Sequence, residues 1–419
     1  MPDIDLLSRR AGDAAKAGRW TDAETLWREV HRLDPRHSRA LFSLGVHALR
    51  DGRLTEARTL LEKAQLVAPS DPIVFMTLLR VLHEQGDAEA ELRIIDAALA
   101  ADAYFLPALL AKGEHAERQG SAASAALHYR NAVKIAPPPA QWPDLLRAQL
   151  AHAQTFAEQH GQNLQTHLGD ALAPLLAGLP PAIAERWRES ASIMSGRTQP
   201  YVQQANQLHV ARLPPIPFYE RTLFPWAAAL EAQTAAIRDE LRSALAAQPD
   251  DFTPYIALRP GQPVDQWAQL NNSTRWSHLS LWRNGRPDKP NLARCPRTRA
   301  ALEAVDMASI GGLCPNAMFS ALAPRSHIPP HTGETNARLV AHLPLIVPAG
   351  CTFRVGYDTR EWREGELLVF DDTIQHEARN DSDELRVVLI FDIWNPLLAP
   401  EERAIVQALA AAARTFGAG

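Results

Sequence analysis

Asp51-Gly52-Arg53-Leu54-Thr55-Glu56-Ala57-Arg58-Thr59-Leu60-Leu61-Glu62-Lys63-Ala64 is one of four versions of a single pattern in the first third of the chain. Glycines stand at Gly18, Gly52, Gly86 and Gly120, each 34 residues after the last. Five residues beyond each come Ala23, Ala57, Glu91 and Ala125; nine beyond, Trp27, Leu61, Ile95 and Tyr129; twelve beyond, Val30, Ala64, Ala98 and Ala132. Pro35, Pro69, Ala103 and Pro137 follow at seventeen, and Ala11, Gly45, Leu79 and Gly113 precede each glycine by seven. Small residues let two helices approach closely, the large residue fills the gap between units, glycine caps the first helix and proline ends the second. The period predicts a stack of two-helix units over residues 1–140, irregular at Glu91 and Ala103 in the third. Arg39, Phe42, Val46 and Arg50 are expected to line the concave side of the second unit. That side serves either as a binding groove or as a plain scaffold.

The totals narrow the class. The 419 residues allow two or three domains, and 46% apolar with 22% charged residues is ordinary for a soluble globular protein. A formal charge of −5 gives no general pull toward nucleic acid or an anionic membrane. Cys295, Cys314 and Cys351 form no C-x-x-C pair, which argues against a disulfide framework or cysteine zinc site and fits a reducing compartment. No apolar run reaches the length of a membrane span, and the first twenty residues lack the apolar core of a signal peptide. The expectation is a cytoplasmic protein.

Ala136-Pro137-Pro138-Pro139 closes the repeats, and residues 141–212 read as a helical linking or capping segment, with a helix near 182–195. A second change of character comes at Leu213-Pro214-Pro215-Ile216-Pro217. One helix is expected at about 225–247, then short apolar runs at 317–323, 338–347, 351–357, 366–372, 374–380 and 386–394, separated by Pro, Gly, Asn and Asp. Many short strands with such turns predict a β-sandwich, barrel or double-sheet jelly roll over residues 213–400, followed by a helical tail at 401–419.

Two histidines lie in informative places among those strands. His331 sits in Ile328-Pro329-Pro330-His331-Thr332-Gly333, and His376 follows 45 residues later in Phe370-Asp371-Asp372-Thr373-Ile374-Gln375-His376-Glu377. Ten residues on, Arg386 opens the run Val387-Val388-Leu389-Ile390-Phe391. Paired imidazoles hold Fe(II) while leaving sites open, and a guanidinium grips a carboxylate through two parallel hydrogen bonds. The combination suits non-haem iron with a dicarboxylate co-substrate. Set against this, the chain has 15 histidines, and one taken singly is more often a surface or core residue. An arginine opening a strand is more often a surface charge.

The stretch Pro330-His331-Thr332-Gly333-Glu334-Thr335-Asn336-Ala337-Arg338, then His342-Leu343 and Cys351, resembles the aspartyl/asparaginyl β-hydroxylase family. So do Trp362-x-x-Gly365, Phe370-Asp371-Asp372, His376-Glu377, Arg386 and Asp392-x-Trp394-x-Pro396, with Trp276-Ser277-His278-Leu279-Ser280-Leu281-Trp282-Arg283-Asn284-Gly285 upstream. The likeness runs from about residue 213 to 400, and the first third resembles tetratricopeptide repeats, which animal members of the family also carry.

The resemblance implies an N-terminal helical repeat solenoid ahead of a double-stranded β-helix oxygenase. His331 and His376 would ligate Fe(II), and Arg386, helped by Ser320 and His342, would bind 2-oxoglutarate. The co-substrate would be decarboxylated by O2 to succinate and CO2 as a substrate C–H bond is hydroxylated. Many iron oxygenases carry an acid two residues after the first histidine; here it is Gly333, which agrees with this family's two-histidine arrangement. Glu334 would point elsewhere, and Asp371 and Asp372 read as turn or supporting residues. A departure is Val340, where family members often have arginine, which bears on the substrate. The implied substrate is the β-carbon of Asp or Asn in a protein or peptide, held with help from the repeat groove. The alternatives are a lipid acyl chain or other small substrate, and a repeat scaffold with an inactive oxygenase domain.

Overall fold

A computed structural model describes residues 3–416 and divides the chain into two compact units, residues 1–197 and 198–419. In the first unit the helix pairs are Ile4–Lys16 with Trp20–Leu33, Ser38–Arg50 with Leu54–Val67, Pro72–Glu84 with Ala88–Ala101, and Leu106–Arg118 with Ala122–Ile135. Each repeat glycine lies between the helices of its pair with φ between +71° and +74°, a conformation that costs a residue with a Cβ. The spacing of small and large residues has a direct physical cause. A Cβ on Gly113 would come 2.4 Å from the ring of Tyr129, the large residue of the same unit. Gly113→Ala is therefore expected to destabilise the first unit by about 1–3 kcal/mol through overpacking. Urea unfolding followed by the helical circular-dichroism signal checks this, and an unchanged midpoint would contradict it.

Glu91, the outlier at a small-residue position, is buried and ion-paired with Arg118, with His83 at 3.3 Å and His115 at 3.5 Å. Charge pairing there replaces the close helix contact of the other units. Arg39 and Arg50 lie over the indoles of Trp27 and Trp20. Beyond the repeats, a long helix, Arg147–Leu176, and the helix Pro181–Met194 complete the unit.

The second unit is built on two antiparallel sheets. The larger carries, side by side, Leu368–Phe370, Arg338–Ile346, Arg386–Trp394, Ala317–Leu322 and Trp276–Arg283, with two-residue strands at its margins. The smaller carries Ser326–His331, His376–Asn380, Cys351–Val355 and Asp358–Glu361 in that order. From Ala317 onward the chain mostly alternates between the sheets, which is the winding of a double-sheet jelly roll. The single helix expected at 225–247 is two, Ala227–Glu231 and Thr234–Ala247, broken at Ala232-Gln233.

Period two along each strand sorts residues between two cores. On Arg386–Trp394, Val387, Leu389, Phe391 and Ile393 face a core shared with helical residues such as Ile237 and Leu241. Val388 and Ile390 face the other sheet. Both faces are buried, so the strand reads as an unbroken apolar run. Arg386, Ser320 and His342 fall on the second, inter-sheet face, in phase with Val388, Leu322 and Val340.

Residues 198–212, grouped with the helical linker in the sequence reading, lie in the second unit and bond to the loop after His331. The C-terminal helix Pro400–Phe416 also joins this unit, burying Val406 and Ala410 against Ala308, Ile310 and Trp394. Residues 417–419 lie outside the described residues.

Candidate active site

His331 is the last residue of its strand and His376 the first of the neighbouring one, and the two are cross-strand partners. Their ring centroids are 4.1 Å apart. His331 Nδ1 meets Pro329 O at 2.8 Å, and His376 Nδ1 meets Ile374 O at 3.1 Å. A carbonyl only accepts, so each Nδ1 carries the proton and each Nε2 keeps its lone pair. Burial pushes both imidazoles below the usual histidine range, and in His376 the neighbouring His331 adds to the effect. Both rings are therefore neutral at neutral pH, the form that ligates a metal. Among the described residues no third His, Cys, Asp or Glu joins them in a metal-binding cluster.

The place of a third carboxylate is already filled. A Cβ on Gly333 would lie 1.8 Å from Asp372 Oδ2. Asp372 is buried and pairs at 2.7 Å with Arg338, which lies 3.3 Å from Asp392 and 3.7 Å from Glu334. Burial raises the Asp372 carboxyl to about 7 despite the arginine. Asp371, by contrast, caps its own turn, accepting from Thr373 N and Oγ1, and accepts from Gln203 Nε2 at 2.6 Å. Among the described residues neither aspartate groups with the histidine pair as a metal ligand.

Arg386 is 1% exposed and has no carboxylate partner among the described residues; its Nε is buried without any hydrogen-bond acceptor. Its guanidinium lies 4.8 Å over the Trp362 ring. Burial draws its pKa down to about 10, so it stays charged at neutral pH. An ion left this way costs several kcal/mol. Trp362 Nε1, which can only donate, meets His342 Nδ1 at 3.3 Å, so the neutral His342 ring carries its proton on Nε2. Burial, with Arg386 next in effect, pushes His342 down to about 3. Ser320 is buried and accepts from Trp276 Nε1 at 3.1 Å.

Aromatic rings connect these groups: Phe370 lies against both His342 and His376, and Trp267 and Trp276 flank His331. Trp276 and Trp362 lie within motifs that give them no role in sequence, and nothing in the sequence singles out Trp267. Their signal was tryptophan beside strand ends, which also marks ordinary cores. All five expected site residues, His331, His376, Arg386, Ser320 and His342, thus sit between the two sheets.

Residues 231–396 match the family described as aspartyl/asparaginyl beta-hydroxylase, and residues 9–72 match the tetratricopeptide repeat. Over 148 residues the chain is 38% identical to the aspartyl/asparaginyl beta-hydroxylase of Mus musculus, a match covering 35% of this chain and 20% of that protein. Over 197 residues it is 37% identical to the ornithine lipid ester-linked acyl 2-hydroxylase of Rhizobium tropici, covering 46% of this chain and 66% of that protein. The chain thus spans a fifth of the length of the first relative and just under two thirds of the second. The chain carries a domain that matches the aspartyl/asparaginyl beta-hydroxylase family, behind helix pairs of which residues 9–72 match the tetratricopeptide repeat.

Proposed function

We propose that the second unit is an Fe(II)- and 2-oxoglutarate-dependent hydroxylase, with His331 and His376 as the metal ligands and Arg386 as the co-substrate's carboxylate anchor. The observation that carries this reading is the buried Arg386 guanidinium, its Nε without an acceptor, in the same inter-sheet space as two neutral imidazoles 4.1 Å apart. The donor set fits the groups. Two neutral nitrogens that no carboxylate joins among the described residues leave the remaining positions of a metal to an exogenous chelator and water. A lone buried cation requires an anion.

When bound, Fe(II) with 2-oxoglutarate and O2 supplies the oxidant that hydroxylates a C–H bond, leaving succinate and CO2. The protein's own residues bind and orient. Arg386 pairs with the distal carboxylate of the co-substrate, the Ser320 hydroxyl and the His342 Nε2–H add donors, and the surrounding rings keep water out.

The family's name points to the β-carbon of Asp or Asn in a polypeptide as substrate, with the repeats as a place to hold the chain. A second reading, hydroxylation of a lipid acyl chain, is favoured by the apolar side chain of Val340 on the inter-sheet face and by the Rhizobium tropici relative's activity on an ester-linked acyl group. Arg338 offers an acidic substrate little, since Asp372, Asp392 and Glu334 surround it.

The test is 2-oxoglutarate consumption by the full chain with Fe(II) and O2. Asp- and Asn-containing peptides are compared with acyl-ester lipids in mixed micelles. Succinate formed in step with hydroxylated product from one of the two classes supports the reading and names the class. Absence of Fe(II)-dependent turnover with either class contradicts it.

A further inference from the structure

Neither candidate ligand is held in place by its sheet alone. His331 ends a strand and His376 begins one, and the pairing between those strands shifts register between His376 and Ala378. The His376 ring is oriented by Ile374 O, just outside the ladder, and the chain leaves the ladder at Thr332 and Gly333 directly after His331. A segment upstream of the family-matched residues hydrogen-bonds to Thr332, Gly333 and Thr373 and pairs across a bridge with Ile374.

Gln203 forms an antiparallel bridge with Ile374, whose carbonyl orients the His376 ring. Gln204 N donates to Thr373 O at 2.7 Å, and Gln203 Nε2 donates to Asp371 in the same turn. On the other side, Asn206 Nδ2 donates to Thr332 O at 2.8 Å and Asn206 N to Gly333 O at 3.0 Å. Leu208 then runs parallel to Thr335. The buried Asn336 closes the arrangement: its Nδ2 donates to Gln203 Oε1 and Val210 O, and its Oδ1 accepts from Val210 N.

We propose that residues 203–210 are a strap that sets the spacing and orientation of His331 and His376, with Gln203 and Asn206 as positioning residues for the metal. This rests on the metal-ligand reading above. Hydrogen bonds that orient metal ligands carry about 10- to 100-fold in metal affinity. Here the strap acts one step behind those bonds, fixing the turn that carries Ile374 O and the loop that follows His331, and its polar side chains make it read as a linker in sequence.

The test uses the full-length chain, Co(II) as the probe, and the double variant Gln203→Ala/Asn206→Ala. His209→Ala, an exposed strap position, is the comparison. The expected result is a Co(II) Kd raised roughly tenfold or more with an altered ligand-field absorption spectrum. The metal-free circular dichroism and the His209→Ala variant should match the wild type. A folded double variant with the wild-type Kd and spectrum overturns the strap's role, and so does an equal loss in His209→Ala. If the double variant does not fold, Asn206→Ala, whose side chain is exposed, is read by the same two criteria. A wild-type chain that takes up no Co(II) or Fe(II) fails the metal-ligand reading itself, which keeps the two failures apart.

Discussion

Replacing Arg386 by methionine is expected to weaken 2-oxoglutarate binding by roughly tenfold or more while leaving the unliganded protein at least as stable as before. The two effects have one cause. Arg386 is fully enclosed and faces no carboxylate among the described residues, so the unliganded protein carries an uncompensated buried charge. Its contact with Trp362 returns about 0.5–2 kcal/mol, less than the several kcal/mol that burying an ion costs. A methionine of similar reach removes that cost. The carboxylate of the co-substrate then loses a charge-assisted pair worth about 2–5 kcal/mol when its partner stays buried. Calorimetric titration of 2-oxoglutarate into the metal-loaded protein reads the first effect, and urea denaturation reads the second. Unchanged affinity would move the anchoring role elsewhere. Arg338 is poorly placed to take it, because acids already surround it.

The second large effect is expected at Gly333. An alanine there would put a methyl carbon 1.8 Å from Asp372 Oδ2 and 2.1 Å from its Cγ. Asp372 is 5% exposed, and displacing it separates the 2.7 Å pair with Arg338. Overpacking costs about 1–3 kcal/mol and breaking a buried ion pair about 3–5 kcal/mol, so Gly333→Ala should lose about 3 kcal/mol or more. The same geometry predicts that Gly333→Asp does not simply supply a third metal ligand, since a buried carboxylate already stands in the way. A loss below about 1 kcal/mol in denaturant unfolding would show that the loop yields easily and would remove this explanation for glycine.

The repeats were legible because their glycines answer a backbone requirement that few other residues meet, and it recurs at a fixed period. The strands read most clearly were 338–346 and 386–394, where two buried faces leave continuous apolar runs. Ser326–His331 escaped notice as a strand because Pro329 and Pro330 argue against one. Asp358–Glu361 escaped because an exposed edge is polar. The break at Ala232-Gln233 was invisible to propensity, since neither residue disfavours a helix.

Within the site, spacing alone brought His331, His376 and Arg386 under suspicion, and resemblance to a family joined them to Ser320 and His342. The Arg338–Asp372 pair and the strap depend on loops meeting across more than thirty residues. No local pattern carries that information. Glycine at 333 agreed with a two-histidine site on resemblance, but the carboxylate filling its missing side chain's space appears only in three dimensions.

His331 and His376, on the proposed reading, together hold one metal ion. Anaerobic calorimetric titration of Mn(II), a redox-stable stand-in for Fe(II), into the full-length wild type, His331→Ala and His376→Ala tests it most directly. The wild type should bind one equivalent and each variant should lose about a hundredfold or more in affinity, with 2-oxoglutarate strengthening metal binding only in the wild type. Wild-type binding that persists unchanged in both variants would contradict it, as would a wild-type chain that binds no metal.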